Sequence, residues 1–232
     1  EGIEVTHGDR VVHVYVAYPE VARRVPVVVL IHENRGLDTW IRSLADQVAE
    51  EGYIVLAPDM LSGYGPDGGR TADFSGDDAA REALYRLPAD QVMRDLRAVV
   101  DHARTMEAGN GRVAVAGFCW GGTQAFRLAT EEERLDAVCV FYGTAPDDPQ
   151  ALKKIQVPVH GFYGGNDARV TSTVERTVRQ MEEAGKTYRP EIYEGAGHAF
   201  MHAGAELAAH DPNRRARDAA WKRWMELLEP VY

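Results

Sequence analysis

Cysteine is nearly absent from this chain: Cys119 and Cys139 are the only two in 232 residues, too few for a disulfide framework. Cys139 sits in the apolar run Ala137-Val-Cys-Val-Phe-Tyr142 and is expected to be inert core. Long hydrophobic runs are missing too, and none approaches the ~20 residues of a membrane span. Basic residues never gather beyond the pairs Arg23-Arg24, Lys153-Lys154 and Arg214-Arg215, and the net charge is −10. That balance excludes the usual footprint of a nucleic-acid or anionic-membrane partner. Internal repeats and linkers are also lacking, so residues 1–232 are expected to form one large domain with a well-buried core. The chain starts at Glu1 rather than at Met, which leaves cytoplasmic and exported locations open.

What the chain does contain is a regular alternation of strand and helix patterns. Val11–Tyr18 is β-rich and is expected to form an outer strand. The run Pro26-Val-Val-Val-Leu-Ile31 is apolar throughout, as a central parallel strand would be. A helix is expected from Asp38, as N-cap, to Glu51, with Trp40, Leu44 and Val48 on one face and Gly52 as its stop. Tyr53–Ala57 is another apolar strand. Residues 60–78 are rich in Gly, Asp, Ser and Pro and are expected to form a long surface loop. An amphipathic helix follows over Ala89–Thr105, then strands near 113–116, 137–142, 157–163 and 189–193. Further helices are expected at 123–130, 172–184 and 212–228. The fold class is therefore α/β, a single doubly wound and mostly parallel sheet flanked by helices.

Ligands in such sheets bind beyond the carboxyl ends of the strands, and four polar residues fall there: Glu33, Cys119, Asp167 and His198. Cys119 lies in Val113-Ala-Val-Ala-Gly-Phe-Cys-Trp-Gly-Gly122, where a strand meets a glycine-flanked turn and then a helix. That is the frame of a nucleophile elbow. The helix N-terminus behind it favours a thiolate and a developing oxyanion. Asp167 closes Tyr163-Gly-Gly-Asn-Asp167, and His198 lies in Glu194-Gly-Ala-Gly-His198-Ala-Phe200. Imidazole can exchange protons near neutral pH, and a carboxylate can hold its tautomer. The backbone N–H groups of Trp120 and Asn34 are the natural oxyanion donors. Glu33 has two readings: it caps the Asp38 region or pairs with Arg35, or it exchanges a proton with Cys119 and holds the thiol in check.

The order nucleophile, acid, histidine is that of α/β-hydrolases, and from roughly Val5 to Leu228 the chain resembles the dienelactone hydrolase family of that superfamily. Its marks are Glu33 after its strand, Gly-Phe-Cys-Trp-Gly-Gly, Tyr-Gly-Gly-x-Asp, Gly-His-x-Phe and Cys in place of Ser at the elbow. The resemblance implies the α/β-hydrolase fold and cleavage of a small-molecule ester or lactone through an acyl-cysteine, without metal or organic cofactor. It also implies that Glu33 takes part in substrate-triggered activation of Cys119. The family's best-known activity opens 4-carboxymethylenebut-2-en-4-olide to maleylacetate, with two arginines on the substrate carboxylate. Arg81 is a loose match to one. The other position is His202, which is largely neutral at pH 7 and has no bidentate fork. Trp120 and Phe200, with Trp40, Tyr64 and Phe74, are candidates to line an acyl pocket. A monomer or small homo-oligomer is expected.

Two other classes are weaker. A metal site built on His198, His202 and His210 lacks a ligand set at zinc spacing. A redox-sensing thiol at Cys119 lacks a resolving Cys. Among hydrolases, the alternative is a broad carboxylesterase or thioesterase acting on short acyl chains.

Overall fold

A computed structural model describes residues 1–208 and 210–231. In chain order the strands are β1 (Gly2–His7), β2 (Arg10–Ala17), β3 (Val25–Ile31), β4 (Ile54–Pro58), β5 (Gly109–Phe118), β6 (Ala137–Phe141), β7 (Val159–Gly164) and β8 (Tyr188–Tyr193). The helices are α1 (Thr39–Glu50), α2 (Asp77–Tyr85), α3 (Ala89–Thr105), α4 (Trp120–Ala129), α5 (Pro149–Leu152), α6 (Ala168–Thr171), α7 (Val174–Glu183), α8 (Phe200–Ala203) and α9 (Pro212–Leu228). The strands join one eight-stranded sheet in the order β1-β2-β4-β3-β5-β6-β7-β8. Two compact units divide the chain, residues 1–115 and the segment from Ala116 onward. No helix among the described residues is long and apolar enough to cross a membrane.

In the first unit, β1 and β2 form an antiparallel hairpin whose His7↔Arg10 pairing leaves a two-residue turn. Gly8 adopts φ 53° there, a conformation that glycine reaches without strain. The expected outer strand is thus second in the sheet, and β1, which its mixed polarity hid, lies outside it. β2 is also antiparallel to β4, whereas β3 and β4 are parallel. Every residue of β3 is buried, as its apolar run predicts. Asp38 caps α1 by accepting from the Ile41 N–H at 3.0 Å. The buried face of α1 is Ile41, Leu44, Ala45, Val48 and Ala49. Trp40 is only half-buried, so that face is turned by one residue from the expected one.

The expected loop over 60–78 is neither structureless nor that long. α2 starts inside it, because Asp77 and Asp78 are favourable first-turn acids at a helix N-terminus as well as loop-like residues. The remainder is pinned by Asp59, which is 1% exposed. Its carboxylate accepts from the Leu61 N–H at 3.0 Å, the Thr71 hydroxyl at 2.6 Å and the Thr71 N–H at 3.0 Å. The Thr71 oxygen in turn accepts from the Leu37 N–H at 3.1 Å, which ties the loop to the segment following β3.

In the second unit, β6, β7 and β8 are parallel neighbours. Phe118, Phe141 and Phe162 stack with centroids 4.5 and 4.2 Å apart, and Trp224 of α9 meets Phe141 edge-on at 5.2 Å. Cys139 is fully buried, and burial pushes its thiol up to about 12.

Two predictions concern stability. Asp59→Ala leaves three donors without their acceptor, a loss of about 2–4 kcal/mol by hydrogen-bond magnitudes. A fall of roughly 5–15 °C in Tm, with new proteolytic cleavage within residues 60–73, is expected; an unchanged cleavage pattern would show the loop is held by something else. His160 of β7 is buried, and burial first, then Arg223 and Arg189, lowers its pKa to about 4. The unfolded chain, with an ordinary value near ~6.5, takes up that proton more readily. Stability from this group is therefore complete above pH ~6.5 and declines as pH falls toward ~4. Urea midpoints at pH 7.5 and 5 should show His160→Leu losing less than the wild type, by about 2 kcal/mol. Equal losses would remove His160 from the acid response.

Candidate active site

The elbow follows from backbone crowding. A Cβ on Gly117 would lie 2.0 Å from the Gly121 carbonyl oxygen, and one on Gly122 would lie 2.6 Å from the Phe141 oxygen. Only glycine fits, so β5 can turn into α4 within one residue. That residue is Cys119, with φ 54° and ψ −114°, a sparsely populated conformation of the kind that persists only when its surroundings enforce it. Its N–H donates to the Phe141 oxygen at 3.0 Å. The thiol is partly exposed. Trp120 is the first residue of α4, where backbone N–H groups lack intrahelical acceptors; its side chain is 9% exposed.

Asp167 and His198 come from the turns after β7 and β8. Asp167 is 6% exposed, and its Oδ2 is 2.5 Å from His198 Nδ1. The other ring nitrogen, Nε2, is 3.1 Å from Cys119 Sγ. A proton on Nδ1 directed at the carboxylate leaves the Nε2 lone pair facing the thiol. Gly164 permits the close approach of the two turns, since a Cβ there would meet the Gly197 oxygen at 2.5 Å. The structure therefore brings together the three residues that the sequence order singled out.

Sequence reasoning missed Tyr142. It follows β6 with a positive φ of 42°, is buried, and sets its ring 5.1 Å from the imidazole at a 64° tilt. A strand-terminal Tyr before a Gly carries no signal of this role. Phe200 is a correction. It is 0% exposed and packs on Tyr142 and Tyr193, with centroids at 5.4 and 5.2 Å. A side chain with no accessible surface braces the histidine's neighbours rather than lining a pocket. His202 is half-buried on α8.

In the first unit, Glu33 and Asn34 follow β3. Glu33 is 7% exposed. Asp38 caps α1, and Arg35 pairs with Asp77 at 3.4 Å. His32, a further residue that went unnoticed, fixes this segment. Its Nδ1 donates to the Glu33 carbonyl at 2.7 Å, and its Nε2 accepts from the Met60 N–H at 3.2 Å. Burial lowers its pKa, outweighing Asp59, Asp38 and the backbone bonds, which raise it, in keeping with a neutral ring of one tautomer. Arg81, on α2, pairs with Asp78 at 2.7 Å where both side chains are substantially exposed. Tyr64 carries the Arg10 guanidinium 4.9 Å over its ring. Among the described residues no group of three or more His, Cys, Asp or Glu side chains could hold a metal ion.

The model of the dienelactone hydrolase family matches residues 12–232. A Methylorubrum extorquens protein named "Putative carboxymethylenebutenolidase" is 30% identical over 95% of this chain and 77% of its own length. An Escherichia coli K12 protein of the same name is 29% identical over 87% and 75%. The crystal structure of a dienelactone hydrolase, titled "putative", from Klebsiella pneumoniae superposes with a TM-score of 0.84 at 23% identity, covering 98% of this chain and 96% of that one, and shares the fold. The chain thus has the α/β-hydrolase fold, belongs to the dienelactone hydrolase family and is a hydrolase.

Proposed function

We propose that the protein hydrolyses a carboxylic ester or lactone with Cys119 as nucleophile, His198 as general base and acid, and Asp167 as the group that orients the imidazole. The observation that carries this reading is the continuous line from Sγ to Nε2 and from Nδ1 to the carboxylate, at 3.1 and 2.5 Å. His198 takes the thiol proton as Sγ bonds to the acyl carbon, and the carbonyl electron pair moves onto oxygen. The N–H of Trp120, at the start of α4, is a donor suited to that oxyanion. When the intermediate collapses, the C–O bond breaks and His198 protonates the leaving alcohol, which in a lactone stays attached to the acyl chain. Water then adds to the thioester, His198 takes its proton, and Cys119 is released with the acid. Side chains and water supply every step. Asn34, as a second oxyanion donor, and Glu33, as a group that exchanges a proton with Cys119, belong to the same proposal, and the family match over 12–232 supports one catalytic domain.

A second reading, a general carboxylesterase or thioesterase for short neutral acyl groups, is favoured by the cations. Arg81 is already paired with Asp78, and His202 stands where the family pattern calls for Arg. Neither offers a ready fork for a substrate carboxylate.

Steady-state hydrolysis of 4-carboxymethylenebut-2-en-4-olide beside p-nitrophenyl acetate separates the two. A higher kcat/KM for the lactone would support the family's named activity; turnover of the neutral ester alone would support the second reading. Under either, Cys119→Ala should lower kcat by about 10⁴-fold or more, and His198→Gln by a similar factor. Retained activity in Cys119→Ala would place the nucleophile elsewhere. Glu33→Gln tests the proton-exchange role: a change in the pH dependence of kcat is expected, and an unaltered profile would discard it.

A further inference from the structure

The segment carrying His198 has no regular structure of its own, yet three consecutive residues ahead of it are tied down. Asn166, beside Asp167, donates its N–H to the Ala196 oxygen at 2.8 Å and its Nδ2 to the Gly195 oxygen at 3.0 Å. Asn213, in the first turn of α9, accepts from the Gly197 N–H at 2.8 Å through Oδ1. Its own N–H donates to the capping carboxylate of Asp211 at 2.8 Å, so the acceptor is itself held. On the other side, Ala199 takes the left-handed conformation, φ 56° and ψ 32°. His198 is thus suspended between a bonded amide and a residue in the left-handed region.

We propose that Asn213 is a positioning residue for His198, with Asn166 as its counterpart from the acid turn. The inference rests on the Cys119–His198–Asp167 reading above. Asn213 is half-buried and Asn166 exposed, so water can replace the bonds of Asn166 more readily than that of Asn213. Releasing the Gly197 amide lets the loop and its imidazole drift, and misplacement by about 1 Å costs on the order of 10²-fold in rate.

The test compares Asn213→Leu, which loses the acceptor, with Asn213→Asp, which keeps it and places an anion favourably in the first turn of α9. Readouts are kcat and KM on p-nitrophenyl acetate, and the far-downfield proton resonance of the short His198 Nδ1–Asp167 bond. For Asn213→Leu the expected result is a kcat lower by about 10–100-fold, KM within about twofold, and loss or broadening of the resonance. Asn213→Asp should restore kcat to within about threefold and keep the resonance. Asn166→Asp, which loses a donor, should show a smaller fall in kcat. If Asn213→Leu does not fold, Asn213→Ala takes its place with the same readouts. Wild-type kcat and resonance in the acceptor-less variant would overturn the proposal, as would an Asn213→Asp enzyme as impaired as Asn213→Leu. The resonance can also be read in a Cys119→Ala background. Failure of the nucleophile assignment therefore stays separate from failure of this one.

Discussion

The site depends on three backbones meeting closer than any side chain would allow. Gly117 faces Gly121, Gly122 faces Phe141, and a Cβ on Gly143 would fall 2.3 Å from the Gly122 carbonyl carbon. These contacts let β5, α4 and the end of β6 converge, and they hold Cys119 in a conformation costing on the order of 1–3 kcal/mol. The cost is met by burial nearby: the Phe118, Phe141 and Phe162 stack, closed by Trp224, lies under the same crossing. The Phe141 carbonyl that would clash with a side chain at Gly122 is also the acceptor of the Cys119 N–H. Packing and the placement of Cys119 are therefore one constraint.

The histidine has a different kind of support. Its ring lies against Tyr142, whose own positive φ turns β6 sharply at its end, and whose N–H donates to the Phe162 oxygen at 2.8 Å. Phe200 backs Tyr142 from full burial. An imidazole on an aromatic wall, bonded to a carboxylate at one nitrogen, has little rotational freedom. Its remaining nitrogen lies 3.1 Å from the sulfur.

The parts legible in the sequence were those where one residue type is needed for one physical reason. Glycines at 117 and 122 announce an elbow because no other residue fits there. β3 announces itself because a strand buried on both faces must be apolar at every position. The cysteine, acid and histidine stood out because each ends a strand pattern in a fixed order. The missed parts have ambiguous chemistry. Asp77 and Asp78 suit a helix start as well as a loop, so α2 went unseen. Phe200 looked like pocket lining because a sequence does not distinguish an aromatic beside a catalytic loop from one underneath it. Asn166 and Asn213 act through backbone partners about 29 and 16 residues away, and nothing local marks such bonds.

The residues proposed for chemistry and those proposed for specificity are held in different ways. Cys119, Asp167 and His198 stand on turns where glycines allow close backbone contacts, and each is bonded to backbone or set against a buried ring. The residues that would recognise an anionic substrate are under no such constraint. Arg81 sits in an exposed pair with Asp78, worth at most about 1 kcal/mol, so little of the fold depends on it. His202 occupies one position on a four-residue helix, and its imidazole cannot supply the two parallel donors that a carboxylate prefers. Loss of an anion clamp therefore need not disturb the line of hydrogen bonds from Sγ to Asp167. The proposed Cys119–His198–Asp167 chemistry and the proposed preference for neutral esters thus rest on separate residues, so Arg81 and His202 can be altered without touching the hydrogen-bonded line.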